Sequence, residues 1–180
     1  MQLPRTRTLV TALAITAVLI AAVSISFGGG VPAKVQYFGH DQVNALLAKG
    51  GQLVHDPGLI VLAQHRMAGP AEYHDKTNHV FIMVDGEATF IVGGTEVDPK
   101  RTAADQMRAP SLNGGTAYHL TKGDVITIPA KTWHWFKDVP TKTVSYYAVN
   151  IDSEYMKESE QKRQIKTANA ASTTGSAPPI

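Results

Sequence analysis

Four side chains in this sequence have the chemistry of metal ligands: Glu72, His74, His79 and His134. In the stretch "EYHDKTNHVFIMVDG", Glu72 and His74 stand two apart, so on an extended chain both point to one face. The intervening "DKTN" has turn composition and can bring the chain back until His79 faces the same space. In "GDVITIPAKTWHWF" a β run ends at Pro129, and His134 lies between Trp133 and Trp135. If Thr132 to Phe136 is a strand, the imidazole faces away from both indoles. Imidazole and carboxylate donors without sulfur suit one divalent transition metal, with Fe, Mn, Ni, Cu and Zn all compatible. Four protein ligands on an octahedral ion leave two positions for a small substrate or O₂.

Taken singly, each histidine also has a plainer reading as a surface or hydrogen-bonded core residue. His40, His55, His65 and His119 are read that way, although His65 and His119 fall on expected strands and could line a barrel. Trp133, Trp135, Phe81, Phe90, Tyr146 and Tyr147 are read as core and rim packing. No general base stands out beyond the ligand set. Tyr73, Tyr118, His119 and His65 are candidates through their strand positions alone, and Arg66, which could orient a substrate if it points inward, is placed by default on the surface.

The elements that must position these residues are mostly strands. "QLVH", "GLIVLAQHRM", "NHVFIMV", "EATFIVGG", "TAYHLT", "DVITIPA" and "VSYYAVNI" are β-branched and aromatic runs, separated by Gly, Pro and Asp clusters. Many short strands with regular turn signals indicate an antiparallel sandwich or barrel. Asp85-Gly86 is expected to close a tight hairpin between "FIMV" and "ATFIV". "EVDPKRTAADQMRAPSLNGG", from Glu96 to Gly115, reads as a long loop, either a lid or a plain surface insertion. Before the strands, "HDQVNALLAKGG" predicts a short helix capped by Asp41 and stopped at Gly50-Gly51. After them, "DSEYMKESEQKRQ" predicts a solvated helix over 152–165 with Asp152 or Ser153 as N-cap, followed by a disordered tail over 166–180.

The N-terminus has targeting character. Arg5 and Arg7 precede an uncharged apolar run from Leu9 to Phe27, and a Gly/Pro linker follows to residue 33. Two readings stay open, a cleaved signal peptide or an uncleaved anchor of roughly 20 residues. Either places the folded domain, expected over 34–151, outside the cytoplasm, in a periplasmic or extracellular setting. Beyond that anchor no membrane contact is expected. The formal charge of +2 comes from 17 Lys and Arg against 15 Asp and Glu, and two of the 17 are Arg5 and Arg7. The remaining chain is neutral, which argues against nucleic-acid binding. With no cysteine, disulfides and thiolate chemistry are excluded.

The spacing of these residues resembles the cupin superfamily. Its first motif, G-x5-H-x-H-x(3,4)-E-x6-G, counted back from Gly86, finds His79 at the glutamate position, His74 at the second histidine and Glu72 at the first. Its second motif, G-x5-P-x-G-x2-H-x3-N, matches at Gly123, Pro129 and His134, with Lys131 in place of glycine and Asp138 in place of asparagine. The usual order His, His, Glu, His becomes Glu, His, His, His, with the same donor count. The resemblance covers about Ala63 to Ile151. It implies an all-β antiparallel jelly-roll β-barrel flanked by a short N-terminal and a C-terminal helix, with a mononuclear metal site held by Glu72, His74, His79 and His134. It further implies small-molecule chemistry, with dioxygenases ahead of lyases and isomerases, a non-catalytic binding module as the alternative, and a homodimer.

Overall fold

The computed structural model describes residues 32 and 34–174. The leader expected over 1–33 lies outside the described residues but for Pro32, as do residues 175–180 of the expected tail. Among the described residues no helix is long and apolar enough to cross a membrane.

A short helix, α1 (His40–Leu47), precedes β1 (Gly51–Asp56), β2 (Leu59–Arg66), β3 (Ala71–His74), β4 (Thr77–Asp85) and β5 (Ala88–Val92). Four short strands follow: β6 (Thr95–Val97), β7 (Lys100–Ala103), β8 (Gln106–Ala109) and β9 (Ser111–Asn113). The chain continues through β10 (Thr116–Leu120), β11 (Val125–Ile128), β12 (His134–Asp138) and β13 (Val144–Asp152), and ends in α2 (Ser153–Thr174). The strands form a five-stranded sheet ordered β1-β2-β13-β4-β11, a six-stranded sheet ordered β10-β5-β12-β3-β8-β7, and the pair β6-β9. Every pairing is antiparallel. The expected all-β jelly roll is therefore the fold that forms, with its two flanking helices.

Strand alternation decides what lies between the sheets. On β4, His79, Phe81 and Met83 are buried in steps of two, as a strand with one inward face requires. They meet Phe90 and Phe136 of the opposite sheet and Tyr146 and Ala148 of β13, which together make the main core. A second cluster of Ala71, Ile91, Ala109, Leu112 and Trp133 backs the six-stranded sheet on its other face. Leu112 belongs to β9, so the β6-β9 pair covers that outer face.

Three local expectations are corrected. Asp85-Gly86 does not close a hairpin, because β4 pairs with β13 and β11 while β5 pairs with β10 and β12. Gly86 instead hands the chain from one sheet to the other at φ 81°, where a Cβ would run into the Thr143 carbonyl. A dipeptide that supplies positive φ serves a crossover as well as a turn. Residues 96–115 are not a loop, since they contain most of β6 and all of β7, β8 and β9, and β8 extends the sheet from β3. The N-cap of α1 is Gly39, without a side-chain cap, and Asp41 sits in the first turn. At the other end the cap is as expected: Asp152 Oδ1 accepts the amide hydrogens of Glu154 and Tyr155 at 2.8 and 2.9 Å. The helix it starts continues past residue 165 to Thr174.

Candidate metal centre

Strand register delivers the histidines to one end of the space between the sheets. His79 on β4 stands directly across from Asn150 on β13 and Ile128 on β11. His134 opens β12 and is paired with Glu72 on β3, two residues before His74. A turn ties these strands together: the Lys131 amide donates to the His74 carbonyl at 2.7 Å, and the Ala130 amide donates to Asn78 Oδ1 at 2.9 Å. Lys131 takes φ 64°, the left-handed region, at the position where the cupin motif carries glycine. That conformation costs a side-chain-bearing residue about 1–2 kcal/mol, and a glycine gives back about 0.5–1 kcal/mol of it as lost chain entropy. Lys131→Gly is therefore expected to stabilise the protein by about 0 to 1.5 kcal/mol. A lower thermal midpoint for the variant would contradict this.

One ring nitrogen from each of His74, His79 and His134 lies within 4.8 Å of the others. The ring centroids are separated by 4.7 Å for His74 and His79, 5.1 Å for His79 and His134, and 5.9 Å for His74 and His134. The partners on the far side of two rings fix their tautomers. His134 Nδ1 lies 3.0 Å from the Thr132 carbonyl, which can only accept, so Nδ1 carries the proton. His79 Nδ1 lies 2.7 Å from Asn150 Oδ1 and donates to it in the same way. Both Nε2 atoms then hold a bare lone pair, and both are buried with no hydrogen-bond partner. Asp105 Oδ2 stands 3.6 Å from His74 Nδ1, and the Asp105 carboxylate accepts hydrogen bonds from the Lys76 amide at 2.7 Å and the Thr77 hydroxyl at 2.5 Å. The arrangement matches what metal-binding imidazoles need: a lone pair aimed inward and an acceptor behind.

Burial pushes the His79 imidazole down to about 4 and that of His134 to about 3. In the unfolded chain both rings take up protons near 6.5. Between about pH 6.5 and 4 the unfolded state thus binds more protons than the folded one, and stability falls as the pH drops. Urea midpoints of the metal-free protein at pH 7.5 and pH 5 check this, and equal midpoints would contradict it.

The fourth expected ligand, Glu72, lines the same cavity as His74 and His79, which has a volume of about 320 Å³. Its carboxylate is turned toward Arg66 and Arg108 and stands outside the histidine cluster. Burial would raise the Glu72 carboxyl, but surrounding charge, Arg66 foremost, holds it below the ordinary range. Arg66 is not on the surface, as expected by default: it points inward over the Phe136 ring and shares the cavity wall with Tyr146 and its hydroxyl. Burial pushes that hydroxyl up to about 12, so it stays protonated.

None of the four candidate bases lines this cavity. Tyr73 packs on Trp133 at 5.3 Å on the outer face, and His65 bonds Ser145 Oγ at 2.9 Å. Tyr118 and His119 lie on the exposed edge strand β10. Sequence reasoning missed Asn150, set Arg66 on the surface by default, and read Tyr146 as packing, which it is, without its place on the cavity wall. The signal was present, since Gln64 and Arg66 continue the inward period of Leu62, and Asn150 that of Tyr146 and Ala148.

Two facing antiparallel sheets with three convergent histidines between them define an antiparallel jelly-roll barrel with a candidate metal centre. Several solved structures are similar to this chain. A Bacillus halodurans protein shares 16% identity over 66% of this chain and 82% of its own, with a TM-score of 0.48. A Klebsiella pneumoniae protein with a double-stranded β-helix domain shares 13% over 67% and 92%, TM-score 0.44. A Cupin 2 conserved barrel domain protein from Salinispora arenicola shares 14% over 63% and 82%, TM-score 0.42. No protein-family model and no curated protein matches the sequence.

Proposed function

We propose that this chain holds one divalent transition metal on His74, His79 and His134 and acts as a metal-dependent enzyme on a small organic molecule, with dioxygenase chemistry ahead of lyase or isomerase chemistry. The observation that carries the reading is the pair of unpartnered, buried Nε2 atoms on His79 and His134. An orphaned buried acceptor costs about 1–3 kcal/mol, and two converging on one point find a common partner in a cation. When bound, the metal supplies Lewis-acid polarisation and, if redox-active, oxidative chemistry. The chain's own contribution is placement and exclusion of water. Leu62, Phe81 and Ala148 give the cavity an apolar wall, while Gln64, Gln106 and Arg66 offer polar groups to orient what enters.

Metal analysis of the purified chain tests the reading: about one transition metal per chain is expected, and none would reject it. A second reading, a non-catalytic binding module, is favoured by one observation. Apart from the histidines and Glu72, the one titratable proton donor on the cavity wall with a hydroxyl is Tyr146, whose high pKa suits it poorly to proton transfer near neutrality. A substrate screen with O₂ uptake as one readout separates the two, since turnover rules out the module.

The leader composition supports export, with action in the periplasm or outside the cell, cleaved or anchored. A reporter fused after Lys34 that remained in the cytoplasm would refute this. A homodimer joined through sheet edges is proposed as well, and a monomeric mass by light scattering would refute it.

A further inference from the structure

Glu72 is held in an unusual way for a carboxylate facing two arginines. Arg66 Nη1 and Nη2 both lie 3.5 Å from Glu72 Oε1, and Arg108 Nη2 lies 3.2 Å from the same oxygen. A guanidinium makes its strongest contact with a carboxylate as a planar fork, one N–H to each oxygen, at about 2.7–2.9 Å. Here Arg66 reaches a single oxygen with both nitrogens, at longer range. Glu72 fills the place between the arginines without using their full capacity.

Charge points the same way. The charged side chains on the cavity wall, other than histidine, are Arg66, Arg108 and Glu72, so two positive groups face one negative. A divalent ion on neutral imidazoles would add to that excess. Arg66 is largely enclosed while Arg108 is 44% exposed on its side chain, so the pair reaches from the interior to the rim. A ligand entering from solvent meets Arg108 first and Arg66 beyond it. Gln64 and Gln106 flank the same space with amide groups that can bond the rest of a small oxygenated molecule.

We propose that Arg66 and Arg108 form a seat for the carboxylate of a small organic anion, and that Glu72 fills this seat until the ligand displaces it. The group class follows from the occupant, because the space already accommodates a planar carboxylate. The consequence rests on the metal reading: Glu72 shares the cavity with His74, two residues along β3, so the displaced side chain becomes the carboxylate available to a metal on the three histidines. Ligand entry and completion of the coordination set are then one exchange, in which one carboxylate leaves the arginines as another arrives. No covalent bond changes.

Calorimetric titration of malonate into the purified full chain, once metal-free and once zinc-loaded, tests the seat. Malonate is expected to bind both forms. Glu72→Gln, which keeps the shape and removes the competing charge, should tighten binding about tenfold or more, since an internal competitor reduces the competent fraction. Arg108→Gln, at a half-exposed site where folding is safe, should weaken it about tenfold through loss of a charge-assisted bond. No binding to wild type and Glu72→Gln alike, or a Glu72→Gln affinity equal to or weaker than wild type, would overturn the proposal. So would inorganic phosphate binding as tightly as malonate with the same dependence on both variants, because the seat would then be a general anion site. The metal-free arm keeps the two readings apart. A chain that takes up no metal yet binds malonate in this pattern retains the seat and loses the metal centre.

Discussion

Replacing His134 with leucine is expected to abolish the stabilisation that metal confers while leaving the metal-free protein about as stable as before or more so. The two halves of this result have different causes. In the metal-free chain His134 is 3% exposed, and its Nε2 is buried without a partner among Phe81, Phe90 and the other two imidazoles. Leucine removes that orphaned acceptor, a gain of about 1–3 kcal/mol, and gives up the bond from Nδ1 to the Thr132 carbonyl, a loss of about 0.5–1.5 kcal/mol. Packing at similar volume changes little. The net runs from a loss of about 0.5 to a gain of about 2.5 kcal/mol, so the metal-free variant should be about as stable as wild type or more so. The metal-loaded chain behaves otherwise. Saturation at 1,000 times the dissociation constant stabilises a protein by about 4 kcal/mol, and loss of one of three ligands should weaken affinity by more than the roughly 10–100-fold seen when only a supporting partner is lost. Thermal midpoints with and without zinc, for wild type and variant, read both halves. A variant that still gains the wild-type shift would show that His134 is not a ligand, and one that is unfolded without metal would show that its role is packing.

The opposed outcomes explain why this site stood out in the sequence. Three imidazoles at fixed offsets from Gly86, Gly123 and Pro129 are poor choices for an apolar core, and the register that gathers them follows from strand alternation. The barrel was legible for the same reason: short β-branched runs separated by turn residues leave few other architectures. The partners of those runs were not. Asp85-Gly86 has the local chemistry of a hairpin, yet β4 pairs with β13, a strand some sixty residues later. Only the burial of both faces of the sandwich decides between the two, and that information is not local. The segment 96–115 looked like a loop because its strands are three or four residues long, below the length at which alternation becomes visible.

Glu72 and Arg66 show the limit more sharply. Spacing placed Glu72 on the same face as His74, and the two do share the cavity. Which way its carboxylate turns depends on two arginines from other strands, Arg66 on β2 and Arg108 on β8. Arg66 was set on the surface by default because arginine is seldom buried unless paired. Here it is paired with Glu72, and it lies over Phe136. A charge buried through such a network cannot be read from any one strand, because each partner alone looks like a surface residue.

Asn150→Ala is expected to weaken metal binding about 10–100-fold without unfolding the barrel. Asn150 touches no ligand position itself. It stands across the ladder from His79 and takes the Nδ1 proton at 2.7 Å, which leaves the lone pair on Nε2. Without that acceptor, the buried ring can move its proton to Nε2, and the nitrogen facing the other histidines becomes a donor. Every metal-binding event must then reverse the tautomer and leave Nδ1–H unsatisfied, which is where the affinity goes. The conservative variant separates this from simple packing. Asn150→Asp keeps an acceptor at the same distance and should bind metal within about tenfold of wild type or better, since a carboxylate raises the basicity of the ring it faces. Asn150→Leu, which fills the space without an acceptor, should behave like alanine. Equal metal affinity in wild type, Asn150→Ala and Asn150→Leu would mean that the Asn150 contact does not set the tautomer. Equal loss in all three variants would mean that Asn150 acts through shape, and that the proton on His79 is fixed by something else.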